Sequence, residues 1–339
     1  MPKCGSQCYL CDLPIRFDTY EGCSHACEYC FVKRKNTISN IKDGEGPEAL
    51  IKFIKGQRNA ETSWCDWNIP LHWGGMSDPF QPVEKHRRRS LECLKIFKET
   101  QYPFVVSTKG KLIAEPEYLE LIKECNCVVQ ISLVCESYDK LEPGCPTFNE
   151  RLEIARKVAA VAKRLIIRIQ PYMCEVFEEV FNNLEKFKEA GAYGVIVEGM
   201  KFLNKRQGTI KIGGDFLYPY ERIKTDILAL KERAHELGLK FYSGENRTRE
   251  LGDSLTCCGI DGLDGFVGNH FNLNHIINGE RPVPTEKQKE VGTGICFRGL
   301  HQRTIMEKQL QQQSFARAQL WEYKNNRTYI EKVFGKMKK

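Results

Sequence analysis

The chain has 339 residues, 41% hydrophobic and 28% charged, with a formal net charge of +7. No apolar run approaches the roughly 20 residues of a membrane span, and Met1-Pro2-Lys3-Cys4 lacks the apolar stretch of a secretory signal, so a cytoplasmic protein with no membrane partner is expected. The mild positive charge permits an anionic ligand or a nucleic acid without demanding one, and no interleaved basic and aromatic stripe marks a nucleic-acid groove.

Residues 1–18 carry Cys4, Cys8 and Cys11 in the spacing C-x3-C-x2-C. A chain end has little else to order it, so a metal is expected here. Four thiolates would suit zinc or an auxiliary iron–sulfur cluster, with the fourth supplied by Cys257, Cys258 or Cys296. The alternative is a loose terminus with reactive thiols. The same spacing recurs at Cys23, Cys27 and Cys30. Three thiolates on one short loop can hold three irons of a [4Fe–4S] cubane. The fourth iron then stays open to the amino and carboxylate groups of S-adenosylmethionine (SAM), whose sulfonium accepts an electron from the reduced cluster to give a 5′-deoxyadenosyl radical. The spacing alone also fits a zinc loop or buried thiols. The chain has sixteen cysteines, and a cytoplasmic protein rarely stores so many as disulfides. The scattered ones (Cys65, Cys93, Cys125, Cys127, Cys174) read as small buried hydrophobes.

From about residue 45 short apolar runs alternate with longer amphipathic ones. Strands are predicted at 70–73, 104–107, 127–133, 165–170, 194–197 and 240–242. Helices are predicted at 83–98, 116–124, 147–163, 176–190 and 220–237. Repeated βα units with strands buried on both faces imply an α/β fold, a complete or partial (β/α) barrel of TIM type spanning 19–245. After about residue 245 the rhythm gives way to glycine-rich turns. A C-terminal extension, 246–339, is expected to end in a helix over 303–334.

Around the second triplet the chain resembles the radical SAM superfamily, and closely resembles its branch related to spore photoproduct lyase, from Tyr20 to about Met200. Tyr29 precedes the third cysteine. Gly74-Gly75-Met76-Ser77-Asp78-Pro79-Phe80-Gln81-Pro82-Val83-Glu84 follows a strand, and Ser107-Thr108-Lys109 ends the next. Ile131-Ser132-Leu133, Leu141-Glu142-Pro143 and Glu150-Arg151-Leu152-Glu153 follow in family order. The resemblance implies a [4Fe–4S] cluster on Cys23, Cys27 and Cys30, SAM as cosubstrate, and an electron donor of flavodoxin or ferredoxin type. It implies that Ser77 meets the methionine part of SAM, Lys109 its carboxylate and Ser132 its ribose, with Tyr29 and Phe31 flanking the adenine. Spore photoproduct lyases keep a hydrogen-donor cysteine before the Ser-Asp pair and a tyrosine after the third cluster cysteine. This chain has Gly75-Met76 and Phe31 there, which puts repair of a thymine photoproduct in doubt.

Polar groups near strand ends are the clues to substrate. Glu198 and Glu245 are candidate catalytic carboxylates able to accept hydrogens from a guanine-like edge. His72, Arg168, Gln170 and Asn246 are candidate polar contacts, and Trp73 and Tyr172 candidate stacking rings. Helix capping by Glu245-Asn246 and a surface ion pair at Glu198 are the bland alternatives. The whole arrangement resembles the queuine lyases of queuosine salvage, which implies a small nucleobase-like substrate and release of a 7-deazaguanine base such as preQ1. Competing readings are repair or modification of DNA or RNA, and a non-catalytic zinc or iron–sulfur module that binds nucleic acid.

Overall fold

The computed structural model describes residues 1–4, 10–32, 40–59, 62, 69–212, 215–270, 272, 274, 275 and 278–280, with only the backbone described for Cys4 and Ile212. Cys8, Cys296 and the helix expected at 303–334 lie outside these residues. Among the described residues no helix is long and apolar enough to cross a membrane.

In chain order the strands are β1 (Lys3–Cys4), β2 (Ile15–Phe17), β3 (Tyr20–Glu21), β4 (Lys42–Asp43), β5 (Leu71–Trp73), β6 (Phe104–Thr108), β7 (Cys127–Ser132), β8 (Arg164–Tyr172), β9 (Gly194–Gly199), β10 (Ile210–Ile212), β11 (Asp215–Leu217) and β12 (Lys240–Ser243). The helices are α1 (Pro47–Ile54), α2 (Glu84–Arg87), α3 (Arg89–Thr100), α4 (Pro116–Glu124), α5 (Phe148–Ala159), α6 (Phe177–Glu189) and α7 (Tyr220–Glu236). One sheet runs β1-β2-β5-β6-β7-β8-β9-β12. It is parallel from β2 to β12, with β1 antiparallel on its edge. The parallel strands and their crossover helices form a partial barrel, as the alternation of elements predicted.

Double-sided burial explains why the strands read as continuous apolar runs. Val106, Val129, Ile167 and Val197 face the helical layer. Their alternates Val105, Val128, Ile166 and Ile196 face inward and pack with Leu13, Tyr242, Cys258 and Ile260. β2 was not expected, because three residues are too short for any periodicity. The open seam between the β1–β2 edge and β12 is crossed by residues 256–270, 272, 274 and 275. Asn269 N–H donates to Asp12 O (2.8 Å), Asn274 Nδ2 to Leu10 O (2.7 Å), and Arg164 Nη1 to Gly259 O and Asp261 O.

The helix expected over 83–98 is two helices, broken at Arg88 in the left-handed region (φ 53°). Buried Glu84 explains the break. Its carboxylate accepts from Ser90 N–H (3.0 Å) and Leu91 N–H (2.9 Å) at the start of α3, and from the Tyr20 and Tyr118 hydroxyls. A carboxylate there satisfies orphan first-turn donors and the positive helix end. In α5 a capping box between Thr147 and Glu150 sets the start.

Candidate functional site

The three cysteines of the second triplet lie on the loop between β3 and β4, over the C-terminal ends of the parallel strands. Cys27 is buried and Cys23 and Cys30 are partly so. Gln81 holds the loop from one side, accepting from Ser24 N–H (2.9 Å) and donating to Gly22 O (3.0 Å). His25 holds it from the other, through Gly144 O at 2.9 Å from Nδ1 and Asp78 Oδ2 at 3.2 Å from Nε2. A side chain at Gly144 would begin 2.6 Å from Ser24 O and 2.7 Å from His25 O, so only glycine lets this approach form. It brings Cys145 Sγ to 3.7 Å from Cys27 Sγ. Burial pushes the Cys23 thiol up to about 12. The Cys145 thiol beside Cys27, together with Lys109, lowers the Cys27 thiol below its ordinary range.

Two buried carboxylates tie this loop to the barrel. Asp78 accepts from Thr108 Oγ1 (2.6 Å), Lys109 N–H (2.6 Å) and Phe80 N–H (2.8 Å). Burial alone would raise its carboxyl, but the facing His25 and these donors leave it below the usual range. Glu142 accepts from Lys109 Nζ (2.8 Å) and the Tyr29 hydroxyl and pairs with Arg151. Tyr29 also packs on Tyr138. Its hydroxyl is therefore committed to the Glu142 network, a structural duty in addition to the expected adenine contact. Lys109 spends two donors on Glu142 and Tyr29, so one N–H remains for a ligand. Phe31 is exposed. Ser77 Oγ is buried without a hydrogen-bond partner among the described residues. Asp18, which sequence reading missed, receives Met76 N–H (2.9 Å) and Ser77 N–H (3.3 Å) and is pushed up by burial to about 7. An orphan hydroxyl, a cationic lysine and three thiols around one loop fit SAM and a [4Fe–4S] cluster.

Beneath this mouth the barrel interior is polar. His72 Nε2 lies 3.0 Å from Ser107 Oγ, and Ser107 Oγ donates to Gln130 Oε1 (2.8 Å). Arg168 reaches Ser107 (3.3 Å), Gln130 (3.0 Å), Gln170 and Glu198 (3.5 Å). The structure thus brings together four expected residues, His72, Arg168, Gln170 and Glu198, and adds Ser107 and Gln130. Both additions sit at inward positions that strict alternation along β6 and β7 would have marked. Ser132 ends β7 and is buried. Glu245 is buried and pairs with Arg247, while its Oε2 has no partner among the described residues. Asn246 accepts from Arg249 Nη2 (3.0 Å) and Asn274 Nδ2 (3.3 Å), so its side chain holds the chain together there.

Two expected stacking rings are corrected. Trp73 is fully buried among Phe17, Phe80, Phe97 and Phe104 under the helices. It takes the opposite face of β5 from His72. Tyr172 is fully buried with its hydroxyl on Asp226 of α7 (2.8 Å). A register shift between Ile169 and Tyr172 turns it away from the inward series.

Burial, with Arg168 and Arg16 near, pushes His72 down to about 3. The folded protein therefore holds it neutral, while the unfolded chain takes up a proton below the ordinary 6.5. Its contribution to stability is full above that value and falls on acidification, by up to about 1.4 kcal/mol per pH unit. Denaturant titrations between about pH 7 and pH 5 should show a slope that His72→Gln flattens; an unchanged slope would mean His72 is protonated in the fold.

No protein-family model matches the chain. Uncharacterized proteins of Mycobacterium tuberculosis and Mycobacterium bovis are 24% identical over 212 residues, 58% of this chain and 62% of theirs. The chain thus spans less than two thirds of the length of these curated relatives. Among solved structures, a cysteine-to-alanine variant of spore photoproduct lyase superposes with a TM-score of 0.55 at 15% identity, over 68% of this chain and 76% of the other. Spore photoproduct lyase complexed with dinucleoside spore photoproduct gives 0.54 at 17%, with the same coverage. The chain has the fold of spore photoproduct lyase, a partial parallel barrel.

A second cysteine group lies at the seam. Cys11 sits beside Cys257 and Cys258, whose sulfurs are 3.9 Å apart. Burial raises Cys11 to about 12. The Cys258 thiol, with Arg249 next to it, lowers the Cys257 thiol below its ordinary range. Of the expected second metal set, the described side chains are therefore Cys11, Cys257 and Cys258.

Proposed function

We propose that this protein is a radical SAM enzyme. Cys23, Cys27 and Cys30 hold the [4Fe–4S] cluster, and a flavodoxin or ferredoxin type of protein supplies the electron. The observation that carries this reading is the cysteine loop clamped by Asp78 and Glu142 over a parallel barrel mouth, with the orphaned Ser77 hydroxyl beside it. When bound there, the cluster would supply one-electron reductive cleavage of SAM to methionine and a 5′-deoxyadenosyl radical. The chain's own residues do the rest. Asp18 orients the Met76 and Ser77 amides, and Lys109 presents a cation to a carboxylate.

The substrate class we favour is a small nucleobase-like molecule, with queuine the specific candidate and a 7-deazaguanine base the product. The polar layer His72–Ser107–Gln130–Arg168–Glu198 supports it. It offers both donors and acceptors to a flat heterocycle, and Glu198 and Glu245 supply the carboxylates. Anaerobic incubation of reconstituted protein with SAM, dithionite and queuine, read by mass spectrometry, tests both levels. A 7-deazaguanine product with 5′-deoxyadenosine is expected. 5′-Deoxyadenosine that ignores queuine would discard the substrate and keep the chemistry; none under any condition would discard both.

A nucleic-acid substrate is the second reading, favoured by the structural neighbour complexed with a dinucleoside photoproduct. Steep salt dependence of binding would select it, because phosphate contacts release counterions. We further assign Cys4, Cys8 and Cys11, with Cys257 or Cys258, to zinc or an auxiliary cluster; the nearness of Cys11 to the late pair supports that set.

A further inference from the structure

We propose that Asp12, His270 and His275 form a separate site for a divalent transition-metal ion, zinc by its donor chemistry, which pins the C-terminal segment across the open seam of the barrel. One atom from each residue lies within 4.8 Å of the other two. Asp12 Oδ2 is 3.1 Å from His275 Nε2 and 3.6 Å from His270 Nε2. Tetrahedral zinc with bonds of about 2.0–2.1 Å sets neighbouring ligand atoms about 3.4 Å apart, and the two spacings bracket that value.

The surroundings are those of a ligand set. His275 Nδ1–H donates to Glu280 Oε2 at 2.7 Å, which fixes the ring with Nε2 turned to Asp12. A carboxylate behind an imidazole in this way is the usual support of a metal-bound histidine. Asp12 is itself held by the Thr256 hydroxyl and by Asn272 Nδ2 at 2.6 Å. The two imidazoles stack with centroids 4.6 Å apart and planes 21° apart, so the exposed His270 ring would rotate out of the stack to aim its in-plane Nε2 lone pair at an ion held by Asp12 and His275. His270 is 57% exposed at its side chain, which leaves a face where water completes the coordination.

The ion would take the place of the proton between His275 Nε2 and Asp12, and that proton goes to solvent. No electron moves. The ligands join residues about 260 apart in sequence, so the clip closes a very long loop, where a cross-link constrains the unfolded chain most. Asp12 precedes β2 and the histidines end the segment that crosses to β12. The site therefore does mechanical work on the barrel, whatever the barrel's reaction.

Cobalt(II) titration of the full chain separates this site from the cysteines, since thiolate ligation gives an intense near-ultraviolet charge-transfer band and nitrogen–oxygen ligation does not. A cobalt signal of the nitrogen–oxygen kind is expected, displaced by zinc. Exposed His270 can be changed without unpacking the core, so His270→Ala should fold, lose that signal and show a smaller rise in melting temperature with zinc than the parent. Glu280→Gln should weaken binding about 10–100-fold. A cobalt spectrum of thiolate type alone, or equal zinc stabilisation of parent and His270→Ala, would overturn the site and leave Asp12–His275–Glu280 a hydrogen-bonded ion network.

Discussion

Cys27→Ala should lower 5′-deoxyadenosine formation to background and remove the iron of the SAM cluster, as read by iron content and electron paramagnetic resonance after reconstitution. Cys27 is the most enclosed of the triplet, 7% exposed, and its carbonyl accepts Cys30 N–H (3.1 Å) to close the turn that aims the third thiol. Its thiol is lowered by Cys145, with Lys109 adding to the effect. Removing it leaves two thiolates where a three-iron anchor needs three. Cys145→Ala should keep the cluster, because the triplet stays whole. Full 5′-deoxyadenosine production by Cys27→Ala would end the radical SAM reading. Loss in both variants would make Cys145 a necessary partner of the site.

The barrel was legible because its strands are buried on both faces and its helices carry one apolar stripe, two periods a single sequence displays plainly. α4 has the predicted limits, and α7 ends one residue early. What escaped was set by distant residues. The break at Arg88 depends on Glu84 turning back to the Ser90 and Leu91 amides between Tyr20 and Tyr118, a tertiary arrangement with no local signature. The cluster loop was marked by spacing. Its neighbour Cys145, 118 residues away from Cys27, was not.

The interior was half legible. Alternation from Ile166 places Arg168 and Gln170 inside, and the same alternation on β5 separates His72 from Trp73. Reading both as site residues ignored that parity. Tyr172 obeys parity on paper and defeats it in the fold through the register shift before it. Asp12 gave no sequence signal at all, since its partners Thr256, Asn272 and His275 arrive from the far end of the chain.

Glu142→Ala should destabilise the protein by about 3–5 kcal/mol in denaturant unfolding. Glu142 and Arg151 side chains are each 1% exposed and Lys109 is 14% exposed. Removing the carboxylate strands Lys109 and leaves Arg151 only the longer pair to the part-exposed Asp139 (3.5 Å), in a site with little water. Arg151 Nη1 also donates to Ser132 O (3.0 Å) at the end of β7, and Glu28 N–H to Leu141 O (2.8 Å) next to Glu142. The damage therefore reaches the cluster loop and the SAM cradle together. Burial opposes ionisation of Glu142, but Lys109 and Arg151 outweigh it and hold the carboxyl below its ordinary 4.5. Its contribution is full above that value and lost as the pH falls through the lower folded value. The parent and Glu142→Ala should thus converge in acid. Adding Arg151→Met to Glu142→Ala should recover part of the loss, since it removes one poorly paired charge. A change within about 0.5 kcal/mol, typical of a surface site, would show that the two cations find water or another anion when Glu142 is gone.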